Sequence, residues 1–280
     1  MIDLKGHAVV ITGAGQGLGA AYARAAGAAG AQVVVNDINA ASAETVAEEI
    51  RQAGGLAVAE PRDIRDFAAA EALIQRCISE FGAITGLVNN AALFVDVPFE
   101  QSTTDQVRAL LEVNVVGLFN CARAAVGPML SQGRGSIVNV TSGAHTGQPG
   151  LSTYGATKGA VASFTYGWSG ELRDRGVRVN AVSPMASTPM SHNNPALARA
   201  ETIAPAVLFL LSDRAKDITG QIVRLTGKHL SIMCHPANRA PVLEREVWTL
   251  ETVAEAFETT LAANQLPTNV VTYEIASIQS

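Results

Sequence analysis

The sequence contains little cysteine, few aromatic residues and little charge, and each scarcity excludes a class of protein. Of its 280 residues, three are cysteines, 5% are aromatic and 16% are charged. Cys77, Cys121 and Cys234 form no CxxC pair, so we expect no disulfide framework and no structural zinc, and we expect a reducing compartment. A net charge of −5 provides no basic surface for nucleic acid.

Long apolar runs are also missing. Val207–Leu211 is among the most apolar runs and is far too short to cross a bilayer. Residues 1–7 lead directly into a predicted strand and lack the pattern of a signal peptide. These features predict a cytoplasmic protein with no membrane and no nucleic-acid partner. The 48% of hydrophobic residues suffices for the core of one large domain.

Short apolar strands alternate with helical segments along most of the chain. The predicted strands are Ala8–Thr12, Gln32–Asn36, Leu56–Glu60, Gly86–Val88, Ser136–Thr141 and Val177–Val182. Such alternation implies right-handed crossovers and predicts an α/β fold, a doubly wound parallel sheet in a three-layer α/β/α sandwich. Ligands bind such sheets at the carboxyl ends of the strands, where Asp37, Asp63, Asn89 and Ser142 fall.

A glycine-rich segment connects the first predicted strand to a helix. It runs Gly13-Ala14-Gly15-Gln16-Gly17-Leu18-Gly19. Glycine permits a sharp turn and a close approach of backbone to ligand, and the following helix presents free N–H groups and its positive dipole end. In this strand–helix context the segment predicts a pyrophosphate site of a dinucleotide, the alternative being an ordinary turn.

Two aspartates follow the second and third predicted strands. A carboxylate at Asp37 can bind the adenosine ribose hydroxyls and would repel a 2′-phosphate, and neither Ile38 nor Asn39 adds a positive charge. NAD is therefore expected rather than NADP. The alternative is that Asp37 only caps the helix that begins near Ala40. Asp63 could reach the adenine amino group.

Tyr154 and Lys158 lie four residues apart at the start of a predicted helix, so their side chains share one face. An ammonium near a phenol lowers a pKa that begins near ~10. Such a tyrosine exchanges a proton near neutral pH, as an alcohol–ketone redox step requires. Ser142 ends the preceding strand, where its hydroxyl could bond the same substrate oxygen. Taken singly, these residues would be surface neighbours and a turn serine.

Asn114 lies in the middle of a long predicted helix, Thr103 to Ala124. Leucine and valine residues flank it, which suggests an almost wholly buried segment. Because a buried asparagine is unfavourable without partners, we expect specific hydrogen bonds to its amide, the alternative being an exposed polar residue.

These motifs, in this order, resemble those of the short-chain dehydrogenase/reductase family from about Leu4 to Gly227. The matching segments are Thr12–Gly19, Asn89-Asn90-Ala91, Asn114, Ser142, Tyr154–Lys158 and Ile218-Thr219-Gly220-Gln221. The resemblance implies a Rossmann-fold, NAD(P)-dependent oxidoreductase that is commonly a dimer or tetramer.

The resemblance also implies a role for individual residues. Tyr154 would be the general acid/base, Ser142 would polarise the carbonyl, Lys158 would bind the nicotinamide ribose, and Asn114 would hold a water. The implied cofactor-binding residues are Gly13, Gln16, Gly17, Leu18, Gly19, Asp37, Asp63, Ile64, Asn90, Tyr154, Lys158 and Thr188. Met185 stands where glycine is usual.

The expected activity is hydride transfer between NAD(H) and a secondary alcohol or ketone. Alternatives are a 3-hydroxyacyl or 3-oxoacyl thioester enzyme and, from another class, a catalytically idle NAD-binding regulatory protein. The candidate substrate-pocket residues are Phe94, His145, Gln148, Met185, Met190 and His192. The two histidines lack metal-ligand spacing, so no metal is expected.

The C-terminal part of the chain departs from the family pattern. We expect residues 1–229 to form the cofactor-binding and catalytic domain and residues 230–280 to form an extension. Thr249 is the predicted cap of a helix in that extension. The extension either packs on its own subunit or covers a substrate pocket, on the same or a neighbouring subunit.

Overall fold

The computed structural model describes residues 2–238 and 240–264. At its centre is a sheet in the order β3-β2-β1-β4-β5-β6-β7-β8. The strands are β1 Ala8–Ile11, β2 Gln32–Val35, β3 Leu56–Ala59, β4 Gly86–Asn89, β5 Gly135–Val140, β6 Val177–Pro184, β7 Ile222–Thr226 and β8 His229–Ile232. The first seven run parallel, and β8 returns antiparallel to β7.

Helices cover both faces of the sheet. They are α1 Gly17–Ala28, α2 Ala40–Gln52, α3 Phe67–Phe81, α4 Thr104–Leu111, α5 Leu118–Ser131, α6 Ser152–Leu172 and α7 Ala204–Leu211, with α8 Leu250–Ala256 in the C-terminal part. α1, α2 and α7 bury their apolar sides on one face, and α3 and α5 on the other. The predicted doubly wound, three-layer α/β/α fold is therefore confirmed.

The strands form where β-branched residues leave both faces apolar. In β1, Val9 and Ile11 point into one core cluster while Ala8 and Val10 point into the other. A strand with two buried faces is typical of parallel sheets enclosed by helices. Each of the six predicted strands agrees with the observed one to within two residues at either end.

The long predicted helix is present but differs in two respects. It continues from α4 through a π-helical turn, Glu112–Gly117, into α5 and ends at Ser131. The expected near-complete burial is wrong, because Leu111 and Phe119 are 43% and 42% exposed. Only one side of the helix packs on the sheet, so the opposite side faces outward.

This helix is also the one described segment, Thr104–Ser131, that is long and apolar enough to cross a membrane. Its 18-residue window has a mean hydropathy of 1.4 and is 44% buried within the protein. Its packing on the sheet is that of a core helix, which passes the same length and composition test. The finding is therefore weak evidence for a membrane segment.

The chain divides into two compact units, Met1–Met233 and Cys234–Ser280. β8 lies in the first unit, so the sheet takes in residues 229–232. In the second unit α8 continues into a π-helical turn, Phe257–Leu261, and a 3-10 turn, Ala262–Asn264. Thr249 caps α8 as predicted, because its side chain accepts a hydrogen bond from the Thr252 N–H. Residues 265–280 of the predicted extension lie outside the described residues.

Candidate active site

The parallel strands end at one edge of the sheet, and the predicted site residues follow those ends. The glycine loop follows β1, Asp37 follows β2, Asp63 follows β3, Asn90 follows β4 and Ser142 follows β5. Thr188 lies in the loop after β6. The fold therefore brings the predicted cofactor and catalytic residues to the same edge, where parallel α/β sheets bind their ligands.

The glycine loop is held so tightly that side chains would not fit at its first and last glycines. Gly13 has φ +61°, and a Cβ there would lie 2.7 Å from the Ala91 Cα. A Cβ at Gly19 would lie 2.5 Å from Asn90 Nδ2. Asn90 Nδ2 donates to the carbonyls of Thr12 and Gly13, both at 3.0 Å. Asn90 thus supports the loop backbone.

The first turn of α1 follows directly. Gln16 occupies the N-cap position in an extended conformation, with a side chain that makes no capping bond. The first N–H groups of α1 are therefore left for a ligand, as a pyrophosphate site requires. Leu18 is half-buried and packs against the core beneath the loop.

Asp37 is directed to the same loop. Its Oδ2 accepts a hydrogen bond from the Gly15 N–H at 3.0 Å, and its Oδ1 accepts one from the Asn39 N–H at 3.0 Å. Asn39, and not Asp37, caps α2, because the Asn39 side chain accepts from the Ser42 N–H at 3.1 Å. The helix-cap interpretation of Asp37 is therefore wrong, and its carboxylate stands beside the glycine loop.

The loop after β3 carries Asp63 and Ile64. Arg65 clasps the Asp63 carboxylate, with Nε 2.9 Å and a terminal guanidinium nitrogen 2.5 Å from Oδ2, and this hydrogen bonding lowers the Asp63 pKa. Ile64 is buried, and its carbonyl accepts a hydrogen bond from Asn120 at 3.0 Å. Sequence reasoning missed Asn120, although it interrupts an apolar helix just as Asn114 does.

Tyr154 and Lys158 share one face of α6 as predicted, and both are buried. The Lys158 Nζ lies 5.7 Å from the centroid of the Tyr154 ring and donates to the Val140 carbonyl at 2.8 Å. Tyr154 is 7% exposed and Lys158 is 2% exposed. Phe94 packs edge-on against the Tyr154 ring, with centroids 5.0 Å apart. The phenol is thus enclosed between an aromatic edge and an ammonium.

The expected lowering of the Tyr154 pKa is wrong for the protein without a bound ligand. Burial raises the pKa of Tyr154 to about 12, and a hydrogen bond with Ser142 acts in the lowering direction. Burial also lowers the pKa of Lys158 to about 8. Desolvation is therefore the largest effect on the phenol, and it acts against the lowering expected from the ammonium.

Ser142 leads into a short 3-10 helix, Gly143–Thr146. Its Oγ accepts a hydrogen bond from the Ala144 N–H at 3.2 Å, and its carbonyl lies 2.5 Å from His145 Nδ1. On the other side, the Arg224 guanidinium packs against Gly143 and donates to the Ser183 hydroxyl at 3.0 Å. Sequence reasoning did not identify Arg224 as a neighbour of this segment, because it is 81 residues away along the chain and belongs to no motif.

Asn114 has the specific partners that its position predicted. It lies in the π-helical turn, 1% exposed, where its Oδ1 accepts from the Leu93 N–H at 2.7 Å. Its Nδ2 donates to the Leu93 carbonyl and to the Thr157 hydroxyl, both at 3.0 Å. The Thr157 hydroxyl donates in turn to the Tyr154 carbonyl. Asn114 thus ties the loop after β4 to the helix that carries Tyr154.

The remaining predicted residues lie in the loop after β6 and around Ser142. Thr188 caps a 3-10 turn, Pro189–Ser191. The Thr188 Cβ lies close to the glycine loop, since a Cβ added at Gly17 would be 3.6 Å from it. All six candidate pocket residues are exposed or partly exposed, namely Phe94, His145, Gln148, Met185, Met190 and His192. Among the described residues, no three His, Cys, Asp or Glu side chains form a group that could hold a metal.

Comparisons with known sequences give a consistent result. Residues 7–197 match a family model described as short chain dehydrogenase. The cis-4-hydroxycyclohexanecarboxylate dehydrogenase of Sinomonas cyclohexanicum is 36% identical over 241 residues, covering 80% of this chain and 96% of that protein. The 3-oxoacyl-(acyl-carrier-protein) reductase of Thermotoga maritima is 32% identical over 241 residues, covering 80% of this chain and 98% of that protein.

Solved structures extend the likeness to the fold. A short chain dehydrogenase from Mycobacterium avium matches with a TM-score of 0.87 and 31% identity, covering 95% of this chain and 98% of that one. A short chain dehydrogenase from Mycobacterium paratuberculosis bound to NAD matches with a TM-score of 0.75 and 26% identity, covering 80% and 98%.

Proposed function

The chain belongs to the short-chain dehydrogenase/reductase family, and from this premise we propose that it transfers a hydride between NAD(H) and a secondary alcohol or ketone. The observation that carries the proposal is the buried Tyr154–Lys158 pair, next to the Ser142 segment at the carboxyl edge of the sheet. This pair places a proton donor next to an amine that is protonated at neutral pH, in one water-poor position, as an alcohol–ketone step requires.

The residues at this edge fit a dinucleotide. The loop packs so closely on Ala91 and Asn90 that only glycine fits at positions 13 and 19, and the first N–H groups of α1 would bind the pyrophosphate. Asp37 would accept hydrogen bonds from the adenosine ribose hydroxyls and repel a 2′-phosphate, which favours NAD over NADP. A related structure that contains NAD supports this choice of cofactor.

Each side chain has a distinct task in the proposed reaction. When bound, the nicotinamide supplies the hydride donor or acceptor at its C4 carbon. In ketone reduction Ser142 would hold the substrate oxygen by a hydrogen bond, and the Tyr154 phenol would deliver its proton to that oxygen. In alcohol oxidation Tyr154 would take the proton from the hydroxyl. Lys158 would hold the nicotinamide ribose, and Asn114 would fix the Tyr154 helix and hold a water.

A thioester substrate is the second candidate. The 3-oxoacyl-(acyl-carrier-protein) reductase among the relatives supports it at an identity close to that of the alicyclic alcohol dehydrogenase. The two candidate reactions use the same four residues, Asn114, Ser142, Tyr154 and Lys158, and differ only in the substrate that the pocket admits. Parallel assays with cyclic secondary alcohols, their ketones and a 3-oxoacyl thioester separate them by the ratio of kcat/KM.

Cofactor binding is the direct test of the proposed function. We expect calorimetry to give a clear preference of the wild type for NAD+ and NADH over NADP+ and NADPH, and we expect Asp37→Ala to lose most of it, because the carboxylate that excludes the 2′-phosphate is gone. Asp105→Ala is the matched control, since that side chain is 95% exposed on α4. Preference of the wild type for NADPH would contradict the assignment of Asp37, and binding of no dinucleotide would favour the idle homologue.

We also propose a homo-oligomer in a reducing, cytoplasmic compartment. Cys77, Cys121 and Cys234 are unpaired, which supports the compartment. The outward side of the Thr104–Ser131 helix supports the oligomer, because Leu111, Val116 and Phe119 are exposed there.

A further inference from the structure

The loop after β3 is held by the amide of Asn120, a residue of α5 that no motif singled out. Asn120 Nδ2 donates to the carbonyls of Ile64 and Arg65, both at 3.0 Å. The residue is 7% exposed. A buried amide is unfavourable unless it is hydrogen-bonded, so these two bonds explain an asparagine on this side of the helix.

A second asparagine holds the same loop from the other side. Asn36, at the end of β2, donates from Nδ2 to the carbonyls of Glu60 at 3.0 Å and Arg62 at 3.1 Å. It is 1% exposed, and its own carbonyl accepts from the Ala14 N–H in the glycine loop at 2.7 Å. The two amides therefore fix four carbonyls within residues 60–65 and leave the loop little conformational freedom.

The fixed loop presents two groups suited to a purine. Asp63 supplies a carboxylate, which the Arg65 guanidinium holds in place, and the backbone carbonyl of Asp63 accepts a hydrogen bond from the Asp66 N–H at 3.2 Å. The Ile64 N–H has no acceptor among the described residues. A carboxylate next to a free N–H matches the donor amino group and the neighbouring ring nitrogen acceptor of adenine.

The helix is in close contact with this loop at one more point. A Cβ at Gly117 would lie 2.7 Å from Ile64 Cγ1. Gly117 ends the π-helical turn that contains Asn114. The absence of a side chain at Gly117 allows the helix to approach until the Asn120 amide reaches the loop carbonyls.

We propose that Asn120, together with Asn36, is a positioning residue for the adenine end of the cofactor and acts through the backbone of residues 60–65. The inference rests on the proposed function, because it requires a dinucleotide at this edge. Neither asparagine is bonded to Tyr154, Lys158 or Ser142. The effect of replacing either asparagine should therefore be confined to the adenosine half of the ligand.

The test compares three ligands on Asn120→Leu: NADH, ADP-ribose, and reduced nicotinamide mononucleotide, which lacks the adenosine half. Loss of two neutral hydrogen bonds should weaken NADH and ADP-ribose by about 10-fold or more, while the mononucleotide keeps its affinity. In turnover the KM for NADH should rise, with kcat at saturating NADH little changed. Asn120→Gln retains the donor and should recover part of the loss.

Gln132→Leu is the matched control. Gln132 follows α5 and also donates its amide to two carbonyls, those of Ile84 at 2.5 Å and Arg134 at 2.7 Å, but it lies at the amino edge of the sheet. Gln132→Leu should leave the affinities for NADH, ADP-ribose and the mononucleotide unchanged. Should Asn120→Leu fail to fold, Gly117→Ala displaces Ile64 instead and should give the same selective loss.

The outcomes separate the two proposals. If the wild type binds NADH and neither Asn120→Leu nor Gly117→Ala changes the affinities for NADH and ADP-ribose, the positioning role is refuted and the proposed function is not. An equal loss for the mononucleotide and for NADH would refute it too, since the effect would then be general. Failure of the wild type to bind any of the dinucleotides would refute the proposed function, and this inference with it.

Discussion

Tyr154 and Lys158 are two titratable side chains whose chemistry depends on how little water reaches them. Desolvation disfavours the charged form of each, raising the pKa of Tyr154 to about 12 and lowering that of Lys158 to about 8. The neutral phenol is then a proton donor at physiological pH, which suits ketone reduction. Alcohol oxidation requires the phenolate, so it needs a further positive charge near the hydroxyl. An oxidised nicotinamide bound at this edge carries such a charge.

We expect replacement of Lys158 by methionine to shift the pH profile of alcohol oxidation upward. The oxidation rate should rise with pH as the phenol ionises, and in the cofactor complex, where we propose that Lys158 holds the nicotinamide ribose as an ammonium, removal of that charge should raise the pKa of Tyr154. The rise in kcat/KM should move up by about one pH unit or more. The loss of ketone reduction at high pH should move in the same direction, because reduction needs the protonated phenol.

Steady-state profiles with NAD+ and an active alcohol check this expectation, with Lys158→Arg as the control that keeps the charge. An identical profile for wild type and Lys158→Met would show that the ammonium does not influence the phenol.

At the scale of single residues, chemical type and spacing predicted partners well but not the effects of burial. The partners of Asn114 followed from the cost of burying an amide among leucines and valines. The direction in which the Tyr154 pKa is shifted did not follow from the sequence. It depends on the distance from the Lys158 Nζ to the hydroxyl and on the depth of burial, and both are set by tertiary packing. Asn120 was missed because its partners, two backbone carbonyls, carry no sequence signature.

At the scale of secondary-structure elements, strand β1 is preceded by a buried histidine, His7, at the amino edge of the sheet. His7 Nε2 lies 3.0 Å from the Arg134 guanidinium and 3.8 Å from Asp213 Oδ1. Burial is the largest cause that lowers the pKa of His7, followed by the positive charge of Arg134. The folded protein therefore binds a proton at His7 more weakly than the unfolded chain does, whose histidine titrates near ~6.5.

This difference predicts a loss of stability in mild acid. The contribution of neutral His7 is fully present above pH ~6.5 and is lost as the pH falls below that value. Urea unfolding at pH 7.5 and pH 5.5 should show a smaller decrease in the free energy of unfolding for His7→Gln than for the wild type. His192→Gln, at an exposed position, is the control and should behave as the wild type does. Equal decreases in all three proteins would assign the acid sensitivity to other groups.

The elements themselves were largely predictable, with the exceptions of the π-helical turn, β7 and β8. Runs of valine and isoleucine predict buried strands, and β1, β2 and β3 agree closely. The π-helical turn at Glu112–Gly117 could not be predicted, because the same residues are compatible with an ordinary α-helix. β7 was not among the predicted strands, and β8 was missed because a four-residue edge strand has no apolar periodicity to distinguish it from a loop.

For the whole molecule, the outward side of the Thr104–Ser131 helix is the feature that bears on assembly. Phe119 lies close to Phe164 and Trp168, with ring centroids 6.1 and 6.2 Å away, and the latter two rings are stacked at 4.6 Å. We expect Phe119→Glu to reduce the mass measured by light scattering, since a buried carboxylate would oppose contact between copies. Phe99→Glu, on a residue 79% exposed, is the control. Unchanged mass for Phe119→Glu would place any interface elsewhere.

The role of residues 230–280 is still a prediction, and the fold indicates where to cut. A truncation at Leu230 would remove most of β8 from the sheet, whereas one that begins at Cys234 keeps the first unit whole. If the extension covers a substrate pocket, this truncation should raise the KM for the alcohol or ketone several-fold while leaving NADH affinity unchanged. Equal KM values for the two proteins would contradict the covering role.

Fold class was predictable at this scale because alternating strands and helices permit few topologies. The exposure of Leu111 and Phe119 was not, since it depends on which side of a uniformly apolar helix meets the sheet.

The spacing between Asn114 and Asn120 has a consequence for how the length of this protein can vary. One helix carries both amides, of which one bonds Leu93 and Thr157 and the other bonds the loop after β3. Because each helical residue turns the direction of a side chain by about 100°, inserting or deleting one residue between them would aim one amide away from its partners. We therefore expect that inserting or deleting one residue between Asn114 and Asn120 destabilises the protein, whereas the turns at the amino edge of the sheet tolerate such a change in length.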